Sequence, residues 1–496
     1  MNTKKVFVNS FLYTVGNLLL KAFAFLLLPL YTAYLSTEEY GIFNLASSFY
    51  LVVSCIVTLG LQYSVIRFFA DFKDDKNTVG RMFGTVISFI LLVGTIVFIL
   101  LLILRDYLVI YFFDNIRFFP VVLLSILISI VSGLYVVYQD ILKGMQMAGK
   151  SIALSFAFFF ILLFGNIITI VFLHMGAAGL LWSTFIVYTL MVVRMFWDLR
   201  KQSLLDICID TGILKKLLKY SLPLVPHTLA FNISSYATRI IITSKMSLSM
   251  LGLYSMAFNF GIIADVILNS VQSAFQPWFF GKLNENNYGT NKDIAKSTHV
   301  LMWLYGILFV LIGVYSQEAV YIMTSKEYNI AWIYIPFVVF SVSIKAPLYF
   351  YNNFLYYDKT KTDRILYGTL IGTFFCIAFT WILVPICGIW GAILADVISM
   401  AMRMLYTLFV VRNITREVYS FWKLTWLSIL PMLFMLVAIV PSYTIFDKEQ
   451  FSVYNLLYKT IILASYIALT LILHRNNIQP LIIKFKEHGK DTPPIG

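Results

Sequence analysis

Charge is what this chain has least of. Only 12% of its 496 residues are Asp, Glu, Lys or Arg, about half the share in soluble domains, so an ordinary water-soluble fold is excluded. Cysteine is scarce as well. The four, Cys55, Cys208, Cys376 and Cys387, have no paired spacing, and the five histidines form no cluster beside them. That pattern indicates neither a disulfide framework nor a metal site. There is no phosphate-binding glycine loop and no long polar stretch to house a nucleotide domain. An intramembrane glycosyltransferase or polymerase would want a substantial outer loop with acids or arginines, and the outer loops here are short. The expectation is a protein that is not an enzyme and needs no cofactor.

What the chain has is apolar length. Hydrophobic residues make up 60% of it, and its mean hydropathy is +0.85. Runs of this kind suit helices crossing a hydrocarbon core of ~30 Å, whereas barrel strands alternate over about 10 residues. The reading is an all-α polytopic membrane protein with fourteen spans, near residues 7–34, 40–68, 80–104, 118–139, 151–174, 177–198, 219–245, 249–280, 295–317, 331–357, 364–384, 388–411, 421–441 and 452–474. The first run follows Lys4 and Lys5 as a signal peptide would, yet it continues to about Tyr34 without a small-residue cleavage site, and is expected to stay as a span.

With the N-terminus cytoplasmic, inner loops and tails hold 28 of the 37 Lys and Arg. The outer loops hold six (Arg105, Arg117, Lys245, Lys326, Lys448 and Lys459), and Lys21, Arg239 and Lys345 fall at membrane depth. This bias sets both termini inside. It also accounts for the net charge of +13 without a nucleic-acid partner.

The chain repeats itself. Leu35-Ser36-Thr37-Glu38-Glu39-Tyr40-Gly41-Ile42-Phe43 is answered by Met246-Ser247-Leu248-Ser249-Met250-Leu251-Gly252-Leu253-Tyr254, with Gly41 and Gly252 211 residues apart. Gly176-Ala177-Ala178-Gly179 is answered by Gly388-Ile389-Trp390-Gly391 at 212. Two matches at one period indicate an internal duplication. Six spans on either side of a basic, partly amphipathic segment make the two halves parallel repeats. The expected domains are residues 1–200, an N-terminal six-helix lobe; 201–218, a cytoplasmic amphipathic linker; 219–413, a C-terminal six-helix lobe; 414–474, an added two-helix hairpin; and 475–496, a cytoplasmic tail.

Polar residues inside the spans form stripes. Tyr13, Asn17 and Lys21 recur every fourth residue in span one, and Lys21 lies about fourteen residues from either end, ~20 Å of helix, too far to snorkel. Thr228, Asn232, Ser235 and Arg239 line span seven, and subtracting 211 brings Thr228 onto Asn17 and Asn232 onto Lys21. Asp265, Asn269, Gln272 and Gln276 line span eight, and Ser54 and Thr58 lie on the matching face of span two. Span ten carries Ser341, Lys345, Tyr349 and Asn352, with Pro347 expected to bend it. Intramembrane charges usually face a watery cavity, which makes Asn17, Lys21, Asn232, Arg239, Gln272 and Lys345 candidate substrate-binding residues and Asp265 the candidate for ion coupling. The alternative for Asp265 is a packing pair with Arg239 or Lys345. Asp396 and Arg403, two turns apart in span twelve, fit packing or cavity equally. Arg67, Arg194 and Arg364 lie near cytoplasmic ends, where headgroup contacts are expected. Pro29, Pro223 and Pro226 are expected to interrupt their helices.

The stretch from Leu35 to Phe43, the run from Gly60 to Arg67-Phe68-Phe69 and the 6+6+2 arrangement resemble Wzx-type polysaccharide flippases of the multidrug/oligosaccharidyl-lipid/polysaccharide exporter superfamily. The resemblance implies a MATE-like pair of six-helix lobes in the bacterial cytoplasmic membrane, and transport of an undecaprenyl-diphosphate-linked oligosaccharide to the outer leaflet by alternating access. Coupling to a H+ or Na+ gradient, contact with membrane lipids, and partnership with a polysaccharide polymerase and chain-length regulator follow as expectations. The rivals are a cation-coupled multidrug exporter, whose cavity should be anionic and aromatic, and a peptidoglycan lipid-precursor flippase of the same superfamily.

Overall fold

The structure, a computed structural model, describes residues 16, 19, 25–285, 289–358, 363–415, 418–446 and 452–473. Among them, eleven helices are long and apolar enough to cross a membrane, and twelve if the bent pair Lys326–Ile333 and Ile335–Tyr357 is one span. Most of span one lies outside the described residues. Span seven falls short of that hydropathy because Asn232, Ser234, Ser235 and Arg239 interrupt it.

The helices are α1 (Leu28–Tyr34), α2 (Thr37–Thr58), α3 (Leu61–Phe72), α4 (Lys76–Ile103), α5 (Leu123–Gly144), α6 (Ala148–Asn166), α7 (Gly176–Lys201), α8 (Thr211–Ser221), α9 (Val225–Lys245), α10 (Leu248–Glu285), α11 (Thr290–Val314), α12 (Ser316–Met323), α13 (Ile335–Tyr357), α14 (Asp363–Cys387), α15 (Ile389–Thr415), α16 (Phe421–Thr444) and α17 (Val453–Leu473). Two compact units emerge: residues 1–255 with 376–392, and residues 256–375 with 393–496.

In the first unit, Ser36 and Glu39 begin α2 with reciprocal bonds. The Ser36 hydroxyl accepts from the Glu39 N–H (3.2 Å), and the Glu39 carboxylate accepts from the Ser36 N–H (3.1 Å), satisfying two donors the helix cannot use. Span two breaks after Thr58, where Leu59 (φ 46°) and Gly60 (φ 70°) both adopt the left-handed region. The expected single helix is therefore two. Ser54 and Thr58, expected on a cavity face, are buried against α5: a Cβ on Gly133 would meet Thr58 Cγ2 at 2.8 Å and Ser54 Oγ at 3.2 Å. Small residues let α2 and α5 approach closely, the usual packing device where lipid removes the hydrophobic drive.

The repeat is visible in backbone geometry. Gly176 (φ 56°) and Gly388 (φ 61°), 212 residues apart, both take a conformation open to glycine as α7 and α15 begin. A Cβ on Gly176 would collide with Glu39 Oε1 (1.9 Å), and one on Gly388 would meet Met246 Cε (2.9 Å).

After α7 the chain runs along the first turns of α4. Asp206 N–H donates to Gly80 O (3.2 Å), and a Cβ on Gly84 would lie 1.6 Å from Asp206 O. Asp210 then caps α8, accepting from Gly212 N–H (2.9 Å) and Ile213 N–H (3.0 Å), and bridges to Arg81 at 2.6 Å. The amphipathic helix extends to Ser221, beyond the expected linker end at 218, and Ser64 Oγ donates to its Leu217 carbonyl (2.7 Å). Pro29 and Pro226 lie in the first turns of α1 and α9, and Pro223 lies in the short turn Leu222–Leu224. The helical runs are interrupted there as expected: Leu26 and Leu27 form a turn between helical Phe25 and α1, and Leu222–Leu224 separates α8 from α9, so each proline falls where a first-turn residue has no hydrogen bond to lose.

The second unit packs α11, α13 and α16 around an aromatic core. Phe279 meets Phe354 edge-on at 4.9 Å, Tyr351 meets Tyr419 at 5.6 Å, and the Tyr419 hydroxyl lies 3.0 Å from Thr298 Oγ1. The final helix is held by charge. Lys459, expected in an outer loop, is 1% exposed on α17 and reaches both Glu318 oxygens (2.8 and 2.9 Å) and Gln317 Oε1 (2.8 Å). Asn455 donates to the same Gln317 oxygen (2.9 Å) and accepts from Ser442 Oγ (2.8 Å).

Candidate functional site

Three helices of the second unit bring their polar stripes together. On α10, Asp265 and Asn269 are one turn apart, and Asn269 Nδ2 donates to the Asp265 carbonyl (2.8 Å). On α13, Ser341, Lys345, Tyr349 and Asn353 recur every fourth residue, which places them on one face. Lys345 Nζ donates to Asp265 Oδ1 at 2.7 Å and lies 5.3 Å from the Tyr349 ring centroid. The Tyr349 hydroxyl donates to Asn269 Oδ1 (2.8 Å) and, at 3.4 Å, faces Asp265 Oδ1. The pair is not sealed: Asp265 keeps 31% of its side-chain surface exposed and Lys345 17%. Gln272, one turn beyond, is buried and donates to Asn353 Oδ1 (2.7 Å), tying α10 to α13.

α15 adds a second acid and a second base. Ser341 Oγ donates to Asp396 Oδ2. Seven residues on, about 10 Å of helix, Arg403 Nη2 reaches Thr369 Oγ1 (3.4 Å) while its side chain lies over Gly372, where a Cβ would meet Cδ at 2.3 Å. Two carboxylates and two cations are thus carried by three helices of this unit, with Lys345 and Asp265 the pair in direct contact. Such a set can exchange partners: a cation arriving at Asp265 competes with Lys345 for the same oxygen. Among the described residues, no group of three or more His, Cys, Asp or Glu is placed to hold a metal ion.

Asn232 and Arg239 lie on α9, in the first unit. Asn232 Nδ2 approaches the Leu51 carbonyl at 3.5 Å, and Arg239 Nη1 donates to Ser235 O (2.9 Å) and to Ser235 Oγ. Two residues of this helix fasten it: the Tyr236 ring packs against Phe49 (5.7 Å), and the Tyr63 hydroxyl lies 3.3 Å from Thr228 Oγ1. Asn17 and Lys21 lie outside the described residues. The structure therefore brings Asp265 and Lys345 together with Gln272 beside them, while Asn232 and Arg239 lie two turns apart on α9 with separate partners. Sequence reasoning passed over Asn353 and Thr369. Asn353 was within reach, since it continues the four-residue step through Ser341, Lys345 and Tyr349.

Residues 6–283 match the family model described as polysaccharide biosynthesis protein. Lsg locus protein 1 of Haemophilus influenzae is 23% identical over 405 residues, covering 78% of this chain and 96% of that protein. Among solved structures, the lipid II flippase MurJ in an inward closed conformation superposes with a TM-score of 0.67 at 13% identity, over 96% of this chain and 99% of that one. An inward-facing multidrug resistance MATE family transporter of the MOP superfamily gives 0.65 at 15% identity, over 80% and 95%. These structural likenesses establish a MATE-like fold.

Proposed function

The chain belongs to the polysaccharide biosynthesis protein family, and from that premise we propose that it flips undecaprenyl-diphosphate-linked oligosaccharide units from the cytoplasmic to the outer leaflet. The observation that carries this reading is the Lys345–Asp265 pair, two charges held between membrane-spanning helices with part of their surface open. Groups of this kind are costly in lipid and serve where water, an ion or a polar substrate reaches them.

In the proposed cycle, Arg239 with Asn232, and Lys21 with Asn17, receive the anionic head at successive stages, compensating the hydration a diphosphate loses through charge-assisted hydrogen bonds. Asp265 is the coupling group. H+ or Na+ arriving there displaces Lys345, and the freed ammonium becomes a further contact for the diphosphate, so ion entry and anion binding favour each other. Both termini lie in the cytoplasm of a bacterial inner membrane. Moving Lys459 from the outer loops to a buried helix leaves five outer cations and strengthens the inside bias. A polysaccharide polymerase and a chain-length regulator are the partners this role calls for.

The test is accumulation of lipid-linked oligosaccharide on the cytoplasmic side of cells carrying Lys21→Ala or Arg239→Ala at normal membrane abundance. Reduced export is expected, with Lys21→Arg retaining more than Lys21→Ala. Export equal to the parent in both alanine variants defeats the cationic mechanism. Drug resistance without any change in polysaccharide points instead to a multidrug exporter, and loss of cell-wall synthesis to a peptidoglycan-precursor flippase.

A further inference from the structure

Away from this network, the last turns of α7 carry a site of another kind. Ile186, Leu190, Val193 and Trp197 follow at steps of four, three and four residues, and are 48%, 48%, 60% and 54% exposed. That spacing is one helical stripe, open along its length to acyl chains. At its end two cations cover the indole: Arg194 Cζ lies 4.3 Å and Lys201 Nζ 5.1 Å from the Trp197 ring centroid. Among the described residues, neither cation is paired with a carboxylate. The nearby acid, Asp198, is buried and taken by Lys150 Nζ (2.5 Å) and the Tyr138 hydroxyl (2.8 Å).

The second repeat keeps the exposed ring with a cation from a different position. Trp197 maps at 212 onto Phe409, 67% exposed, with Arg412 Cζ 4.9 Å from its ring centroid. Val193 maps onto Leu405, which is 51% exposed. The exposed ring recurs at the same place in both halves, while the cation over Phe409 comes from the position equivalent to Arg200 rather than to Arg194 or Lys201.

We propose that Arg194, Trp197 and Lys201 hold the phosphate of an anionic bilayer phospholipid, whose acyl chain lies along the stripe that ends at Trp197. The indole lies one turn before the end of α7, the part of a spanning helix where such rings meet headgroups. Stacking on it fixes the guanidinium plane while leaving N–H groups free to reach phosphate oxygens. This site is independent of the transported substrate, so it stands or falls apart from the flippase reading.

The full chain, purified in nonionic detergent, is examined by native mass spectrometry with phosphatidylglycerol, phosphatidylcholine of the same acyl chains, and undecaprenyl diphosphate. The parent is expected to retain phosphatidylglycerol over phosphatidylcholine. Each surface cation adds about fivefold to attraction for anionic lipid, so R194Q/K201Q should lower retention by about 25-fold. If that double variant loses the parent's unfolding temperature, K201Q alone, with about a fivefold loss, serves instead. Equal retention of phosphatidylglycerol by parent and variant, or equal retention of the two phospholipids, overturns the proposal. Stronger retention of undecaprenyl diphosphate, lost in the same variant, also overturns it by assigning the site to the carrier lipid.

Discussion

Gly41 and Gly252 make the same contact from opposite sides. A Cβ on Gly41 would lie 2.1 Å from the carbonyl oxygen of Leu248, and one on Gly252 would lie 2.0 Å from that of Thr37. Each oxygen belongs to the residue four before the opposing glycine, so the arrangement obeys the 211-residue repeat about a local two-fold. Two helix starts, α2 and α10, touch backbone to backbone because neither carries a side chain there.

Replacing either glycine by alanine pushes a methyl group into a main-chain oxygen that has no rotamer with which to yield. Gly41→Ala and Gly252→Ala should each lower stability in detergent by about 1–3 kcal/mol. The double variant should cost less than the sum, because both act on one contact. Additive losses in equilibrium unfolding would show the two approaches to be independent.

Asp265→Asn removes the charge that Lys345 Nζ faces at 2.7 Å. Because both side chains keep some exposure, the stability loss should be modest, about 1–2 kcal/mol, below that for a sealed pair. Transport should lose its dependence on the ion gradient while protein abundance stays near normal. A variant that transports less but responds to the gradient as the parent does would make the pair a packing element only.

Lys459 presents the opposite case. Lys459→Met strands Glu318 in a buried site and should destabilise by about 3–5 kcal/mol, and adding Glu318→Leu should recover much of the loss, since a well-packed apolar pair can replace a buried ion pair. Thermal unfolding of both variants in one detergent tests this. A double variant no more stable than Lys459→Met would give Glu318 another role.

The linker should respond to acid. The Ile213 N–H, ahead of Arg81 and the Gly212 N–H, holds the Asp210 carboxyl below the ordinary carboxylate range. A depressed acid stabilises the fold above its unfolded value, near 3.9, and that contribution is lost as pH falls through the lower folded value. Amide exchange in residues 206–214 should therefore be faster in Asp210→Asn than in the parent at pH 7, and the difference should close on acidification below about pH 4. A difference that persists in acid would make shape rather than charge responsible.

Orientation is open to direct labelling. In a background without its four cysteines, a cysteine at exposed Glu38 should react with an impermeant thiol reagent from outside intact cells, and one at exposed Lys215 should react only after lysis. The reverse pattern would invert the chain.

Periodicity reveals which residues share a face, and it correctly grouped Asp265 with Asn269, and Lys345 with Tyr349. It does not reveal what stands opposite that face. Ser54 and Thr58 form a polar stripe as clear as any, yet α5 covers it, because Gly133 has no side chain to hold the helices apart. Lys459 near a span end looked like a loop cation for the same reason: its partner Glu318 lies 141 residues earlier, on a different helix. The repeat was legible because it depends on local chemistry, such as glycine at Gly176 and Gly388, whereas the equally local Ser36–Glu39 cap went unread and the helix begins at Thr37 rather than at 40.

The interruption at Leu59 and Gly60 has no partner in the second half. Adding 211 brings these residues to Ser270 and Val271, in the middle of α10, which continues unbroken for 38 residues. The equivalent stretch is two helices in the first half and one in the second. The 211-residue repeat therefore holds for the Gly41–Gly252 contact but not for helix continuity at this point.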